Sequence, residues 1–210
     1  MKIYIAGGHG KIALLLARQL ATAGHEPVAI IRNPAQGVDV AAVGATSVVL
    51  DLEASSPGQI ADVVTGADAV VFAAGAGPGS TPERKLTVDR DGAIKLADAA
   101  AAAGVQRYVL VSAIGADSFD ASSEDVFQIY LRAKSEADAH VRGTSLDWTI
   151  VRPGGLTDDA PTGRVTIGET VERGSIPRAD VASVLFEALA NGRWVGEQFE
   201  VVSGDTPISN

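Results

Sequence analysis

The stretch KIYIAGGHGKIA, residues 2–13, decides the fold. A short strand-like run ends in glycines, and apolar residues then recur at helical spacing until Gly24, which predicts a strand, a tight turn and a helix. Gly7, Gly10 and Ala13 show the spacing G-x-x-G-x-x-A. Glycines let the backbone approach a pyrophosphate, and the helix N-terminus offers free N–H groups and partial positive charge. The stretch therefore predicts dinucleotide binding, with a tight glycine turn that binds no ligand as the alternative.

Strands and helices continue to alternate along the chain. We predict strands at 27–31, 47–50, 69–73, 107–111, 148–151, 164–167 and 198–202, and helices at 57–65, 80–103, 125–142 and 178–191. We expect residues 154–161 to form a loop. This alternation is typical of an α/β fold with a doubly wound parallel sheet. We expect one domain over residues 1–210, in which 154–210 form a small C-terminal elaboration on the substrate side.

The composition narrows the classes of function. The 210 residues contain 26 acidic and 17 Lys or Arg side chains, a net charge of −9, which disfavours nucleic-acid or anionic-membrane partners. The absence of cysteine excludes thiol chemistry, and the three histidines show no metal-ligand spacing. No apolar run reaches the length of a transmembrane helix. We expect a cytoplasmic protein without a metal, with a small-molecule substrate, as a monomer or homodimer.

Charged residues after the second and third strands suggest which cofactor binds. Arg32 stands where NAD-selective folds usually place an acid for the ribose 2′-hydroxyl, and it can instead bind a 2′-phosphate, with help from Lys11. Asp51 follows the third strand, where it can meet the adenine amine. We therefore expect NADP(H) to be preferred, with NAD(H) possible. The alternatives are a solvated arginine and an ordinary loop aspartate.

Lys134 lies four positions after Tyr130 in the pattern Y-x-x-x-K, which places both side chains on one face of a helix. Ser112 ends the fifth strand at the carboxyl edge of the sheet, where such folds bind ligands. A nearby ammonium stabilises the phenolate and lowers the pKa of a tyrosine, which suits it to proton transfer, and Ser112 can orient the substrate. Alternatively, Tyr130 is a half-buried helix contact and Lys134 a solvated partner of Glu136 or Asp138.

Together with these motifs, the segments VLVSA at 109–113 and DWTIVRPGG at 147–155 resemble the short-chain dehydrogenase/reductase superfamily, in particular its atypical, extended-like branch of small NAD(P)H-binding and epimerase/dehydratase-like proteins. The resemblance implies a Rossmann-like fold and the catalytic residues Ser112, Tyr130 and Lys134. It also implies that Ala73, Ala74 and Gly75 pass beside the adenine ribose and pyrophosphate. The residues expected at the cofactor are Gly7, Gly10, Lys11, Ile12, Ala13, Arg32, Asp51, Leu52, Ala73, Ala74, Gly75, Ser112, Lys134, Pro153 and Gly154.

The resemblance implies an NADP(H)-dependent oxidoreductase acting on a small carbonyl, quinone or flavin-like acceptor. Two alternatives stay open. One is a binding protein that senses NAD(P)H without turnover, and the other is a nucleotide-sugar epimerase or dehydratase. The segment between Ser112 and Tyr130 is short for a sugar epimerase, and the C-terminal part is small for a sugar-nucleotide domain.

Overall fold

The computed structural model describes residues 1–209, which form an α/β fold. The strands are β1 Lys2–Ala6, β2 Glu26–Ile31, β3 Thr46–Val49, β4 Ala69–Phe72, β5 Arg107–Val111, β6 Asp147–Pro153, β7 Gly155–Thr157, β8 Arg164–Gly168, β9 Ser175–Pro177, β10 Glu197–Ser203 and β11 Thr206–Pro207. The α-helices are α1 Lys11–Thr22, α2 Gly37–Ala42, α3 Pro57–Val64, α4 Pro82–Arg84, α5 Ala93–Ala102, α6 Val126–Arg142 and α7 Arg178–Ala190. A π-helical segment, Lys85–Gly92, joins α4 to α5.

Nine strands form one sheet in the order β11-β8-β10-β6-β5-β4-β1-β2-β3. The strands from β3 to β10 along this order pair in parallel, whereas β8 pairs antiparallel with both β10 and β11. The predicted doubly wound parallel sheet is therefore confirmed, with an antiparallel edge made by the C-terminal part of the chain. The described residues contain no helix that is both long and apolar enough to cross a membrane.

Side chains of β1 alternate between two hydrophobic cores, one on each face of the sheet. Ile3 and Ile5 pack with residues of α1 and α7, whereas Tyr4 and Ala6 pack with residues of α3, α5 and α6. Successive side chains of a strand point to opposite faces, so a strand covered on both faces reads as a continuous apolar run. This arrangement buries the sheet and leaves the carboxyl ends of its parallel strands, where the loops begin, as the place for a ligand.

The structure differs locally from the sequence predictions at three places. Residues 154–161 were expected to form a loop, but β7 begins at Gly155 and pairs in parallel with β9, as a separate two-stranded sheet. The short helix α2 was not predicted, because only Val40 among its residues is buried and a single apolar side chain gives no helical period. The predicted helix 80–103 begins at Pro82, with Thr81 as its cap, and contains the unpredicted π-helical segment.

Candidate functional site

The glycine loop between β1 and α1 has the geometry of a phosphate cradle. Gly7 has φ +73°, and a Cβ atom on it would lie 2.5 Å from Ala74 Cα, so only glycine fits where the loop crosses the end of β4. Leu14 is the first amide of α1 that donates to a backbone carbonyl, that of Gly10 at 2.9 Å. Gly10 supplies no side-chain cap. The first three N–H groups of α1 are therefore free, among the residues described, to bind an anion.

A cleft of about 360 Å³ opens beside this loop. It is lined by eight of the residues predicted at the cofactor, namely Gly7, Gly10, Arg32, Asp51, Leu52, Ala73, Ala74 and Gly75. These residues lie far apart in sequence and meet because β1, β2, β3 and β4 end at the same edge of the sheet. The cleft joins the polar cradle at the α1 N-terminus to apolar walls at Ile30, Leu50 and Val88, a combination that suits the phosphates and the base of a nucleotide.

One end of the cleft carries two guanidinium groups and a carboxylate. The Arg32 side chain is 59% exposed, and its Nη1 lies 4.0 Å from Glu53 Oε2. Arg84 Nη2 donates to the same oxygen at 2.7 Å. Asp51 Oδ1 accepts the backbone N–H of Glu53 at 2.9 Å, so this carboxylate shapes its own loop as well as lining the cleft. Glu53 and Arg84 were not predicted, because each is an ordinary charged residue until the fold places it beside Arg32.

Three residues predicted at the cofactor lie at the start of α1 without lining the cleft. Ala13 is fully buried in the core, which agrees with its expected role of letting α1 approach the sheet. Ile12 is half-buried and packs against the same core. Lys11 is exposed, and its Nζ forms an ion pair with Asp158, which also accepts from Arg178 Nη1 at 2.7 Å. These pairs tie the start of α1 to the loop after β7, and the lysine and Arg178 hold the pKa of Asp158 below its ordinary value.

Tyr130 and Lys134 form a pair on α6, as their spacing predicts. Lys134 Nζ lies 5.8 Å from the centre of the half-buried Tyr130 ring, and Lys85 Nζ lies 5.3 Å from it. Burial raises the pKa of Tyr130, and the opposing effect of Lys134 does not outweigh it. Burial lowers the pKa of Lys134, but its interactions with the phenolate form of Tyr130 and with the carboxylates of Asp89 and Asp138 raise it by more, so the ammonium is retained. Tyr130 is therefore a protonated phenol at neutral pH and suits the role of a proton donor.

The prediction that Lys134 alternatively pairs in solvent with Glu136 or Asp138 is wrong. Its side chain is 4% exposed, its Nζ donates to the Val111 carbonyl at 3.1 Å, and it lies 3.3 Å from Asp89 Oδ1. Asp89 also accepts the backbone N–H of Ala76 through Oδ2 at 3.1 Å. Because Ala76 follows the cleft residue Gly75, this one carboxylate joins Lys134 to the wall of the cofactor cleft. Asp89 thereby brings the two predicted parts of the site together.

Asp89 was missed by sequence reasoning. It lies in the π-helical segment, and π-helical turns are rare and occur frequently at functional sites. Its side chain is 2% exposed. The only sequence signal is an aspartate in a charge-rich part of a predicted helix, and such a residue normally lies in solvent.

Ser112 lies in a buried polar network. Its Oγ donates to Asp138 Oδ2 at 2.7 Å, and the residue is 4% exposed. Arg152 Nε donates to the same carboxylate oxygen at 2.8 Å, and its two terminal nitrogens bind Asp117 at 2.7 and 2.9 Å. Burial raises the pKa of Asp138 although Arg152 and Ser112 lower it. In this structure the hydroxyl of Ser112 therefore donates to Asp138.

Pro153 and Gly154 are buried at the end of β6, away from the cleft described above. A Cβ atom on Gly154 would lie 2.4 Å from the Gly174 carbonyl oxygen and 2.8 Å from Val202 Cγ1. The glycine is therefore required where β6 crosses the chain before β9 and packs on β10. The structure buries both residues, and their expected place at the cofactor stays a prediction.

Comparisons with known proteins agree with this geometry. The family model of NAD(P)H-binding proteins matches residues 7–192. The chain is 36% identical over 210 residues to the "Uncharacterized sugar epimerase YhfK" of Bacillus subtilis (strain 168), covering 100% of this chain and 97% of the relative. A solved structure described as a "Putative NAD-dependent epimerase/dehydratase" from Bacillus halodurans is 38% identical, with a TM-score of 0.90 and coverage of 100% and 97%.

A more distant structure shares the fold alone. A short-chain dehydrogenase/reductase from Veillonella parvula DSM 2008, solved in complex with NADP, is 18% identical, with a TM-score of 0.73 and coverage of 98% and 96%. The glycine cradle, the sheet order and these similarities point to one conclusion. The chain belongs to the NAD(P)H-binding family, and its Rossmann-like fold is similar to that of a short-chain dehydrogenase/reductase.

Proposed function

We propose that the chain is an NADP(H)-dependent oxidoreductase that reduces a small carbonyl, quinone or flavin-like acceptor. The observation that carries the proposal is the contact of Asp89 with both Lys134 and Ala76, because it joins the Tyr130–Lys134 pair to the wall of the cofactor cleft. The family membership supplies the NAD(P)H-binding part of the proposal. The choice of acceptor and the preference for NADP(H) belong to the proposal alone.

Tyr130 is the proton donor in the proposed reduction. Because burial raises the pKa of this phenol, it holds its proton at neutral pH and donates it to the acceptor atom that becomes basic on reduction. Lys134 remains charged and stabilises the phenolate left behind. A bound NADPH supplies the hydride, so the acceptor gains one hydride and one proton in balance.

A second function is supported by the position of Ser112. Ser112 is the residue expected to donate a hydrogen bond to the substrate oxygen. Its buried hydroxyl instead donates to Asp138. A protein that binds NAD(P)H and responds to it without turnover accounts for this arrangement. It keeps the glycine cradle and cleft and needs no proton donor.

The test is consumption of NADPH and NADH, followed by absorbance, with a panel of quinones, aldehydes and flavins. We expect NADPH-dependent reduction of at least one class. Binding of NADPH without turnover of any acceptor would favour the sensing function, and conversion of a nucleotide sugar without net NADPH consumption would favour an epimerase.

The cytoplasmic location, the single-domain organisation, the absence of nucleic-acid and membrane partners, and the monomer or homodimer state stay predictions.

A further inference from the structure

Three charged side chains at the adenosine end of the cleft form a compact unit, the Arg32–Glu53–Arg84 cluster. All three line the cleft that also contains the glycine loop. Glu53 Oε2 lies 2.7 Å from Arg84 Nη2 and 4.0 Å from Arg32 Nη1. The same carboxylate oxygen is therefore the nearest anionic partner of one guanidinium and within reach of the other.

The position of Glu53 is fixed by its neighbours. Its second oxygen, Oε1, accepts from Thr87 Oγ1 at 2.6 Å. Lys95 Nζ donates to the backbone carbonyls of Leu52 and Glu53 at 3.2 and 3.1 Å. The Glu53 side chain is 29% exposed, so it is held at the cleft wall and still reaches the cleft. The Glu53 carboxylate is therefore held by Thr87 at a position next to the guanidinium groups of Arg84 and Arg32.

Two further ionisable groups line the same cleft but are engaged elsewhere. His9 Nε2 lies 2.7 Å from Asp39 Oδ2, and Asp51 uses Oδ1 to accept the N–H of Glu53. The cations within reach of an anion at this end are thus the two arginines. The cluster carries one more positive charge than it carries negative charge.

We propose that Glu53 and Arg84 tune the preference between NADP(H) and NAD(H), which rests on the proposed cofactor binding. Arg84 is a second guanidinium for the 2′-phosphate, and Glu53 is an internal competitor that binds the same guanidinium. A 2′-phosphate bound at Arg32 gains Arg84 as a second partner only when Arg84 turns away from Glu53. Until then the phosphate lies beside the Glu53 carboxylate, which repels it. The 2′-hydroxyl of NAD(H) instead finds an acceptor in the Glu53 carboxylate. The cluster accordingly favours NADP(H) by less than two free arginines would.

The test compares binding by calorimetry in the full chain and in two variants, Glu53→Gln and Arg84→Gln. The probes are NADPH, NADH and adenosine 2′,5′-bisphosphate, which carries the 2′-phosphate without a nicotinamide. We expect Glu53→Gln to tighten the two probes that carry a 2′-phosphate, NADPH and adenosine 2′,5′-bisphosphate, about tenfold. The reason is that Arg84, released from the carboxylate, can form a charge-assisted bond to this phosphate. We expect Arg84→Gln to weaken both about tenfold and to change NADH affinity by less than about threefold. We expect Glu53→Gln to weaken NADH by about three- to tenfold, because an uncharged amide is a weaker acceptor for the 2′-hydroxyl than a carboxylate.

Matched controls are available on neighbouring helices. Arg90→Gln and Glu136→Gln remove a pair of similar exposure that lies outside the cleft, so they should leave all three affinities unchanged. Thermal melts show that each variant is folded. If NADPH binds the unmodified chain but Glu53→Gln and Arg84→Gln behave like the controls, the tuning role is overturned and the proposed function stands. If neither NADPH nor NADH binds, both are overturned.

Discussion

At the adenosine end of the site, Arg32 keeps 59% of its side chain in solvent, whereas Lys134 at the proton-transfer end keeps 4%. The first end is an open cleft in which Arg84 is paired with Glu53, whereas Arg32 lies 4.0 Å from that carboxylate and is accessible to a ligand. The second is a buried arrangement in which each charge is already paired, Lys134 with Asp89 and Arg152 with Asp138 and Asp117. In the proposed function, cofactor affinity therefore depends on exposed charges and turnover depends on buried ion pairs. Substitutions at the first end should change cofactor affinity, and substitutions at the second end should change turnover.

The largest effect is expected from Tyr130→Phe. Because only the hydroxyl is lost and the half-buried ring stays, turnover should fall by about 10²- to 10⁴-fold, the usual contribution of a general acid, while NADPH affinity is unchanged. The measurement is steady-state NADPH oxidation with the best acceptor, beside calorimetry. Tyr108→Phe is the matched control, since its hydroxyl donates to the Ala93 carbonyl inside the core and its loss should lower the melting temperature alone. Near-normal turnover in Tyr130→Phe would exclude proton transfer by the phenol.

Gly10→Val breaks the adenosine end without touching the other. Gly10 has φ −64°, which any L-residue adopts, and its added Cβ would lie 3.1 Å from the Gly7 carbonyl oxygen, a contact that needs only a small shift. The valine branches would stand at the pyrophosphate cradle, so we expect NADPH affinity to fall by on the order of a hundredfold while the fold is kept. Gly58→Val, at an exposed position with open space around it, is the control. Unchanged affinity in a folded Gly10→Val variant would make the loop a structural turn only.

Asp89→Asn tests whether the two ends are joined as described. The amide oxygen can still accept from Ala76, but Lys134 loses a buried counter-charge, so we expect a loss of about 1–3 kcal/mol in the free energy of unfolding. Turnover should fall by more than NADPH affinity. Asp91→Asn, which loses an exposed pair with Arg90, is the control. Equal stability of the two variants in chemical denaturation would contradict the buried pair.

The smallest effect is expected from alkaline pH. Since the pKa of Tyr130 is raised by burial above its ordinary value of 10.0, the unfolded chain loses this proton first. The contribution to stability is therefore complete below about pH 10 and is lost as pH rises through the native pKa. The melting temperature of the unmodified chain, minus that of Tyr130→Phe, should stay constant from pH 7 to 9 and decrease above pH 10. A difference that rises or stays flat would contradict the raised pKa.

The same contrast explains what could be predicted from the sequence. Gly7, Gly10 and Ala13 are close in sequence, and their motif reports a local turn, so the cradle and the sheet around it were found. Arg32 and Ala73–Gly75 follow strands whose carboxyl ends meet at one edge. Asp89, Glu53 and Arg84 gain their roles from partners 13 to 45 residues away, and no local pattern marks them. The pairing of β7 with β9 escaped prediction for the same reason.

In the proposed function, this cleft binds a dinucleotide that carries a 2′-phosphate, through the glycine loop and Arg32. The most direct measurement is calorimetric titration of NADPH and NADH into the unmodified chain and into Arg32→Asp. We predict that the unmodified chain binds NADPH about ten- to a hundredfold more tightly than NADH, and that Arg32→Asp removes or reverses this preference. Equal affinities for NADPH and NADH in the unmodified chain, unaffected by Arg32→Asp, would contradict the account.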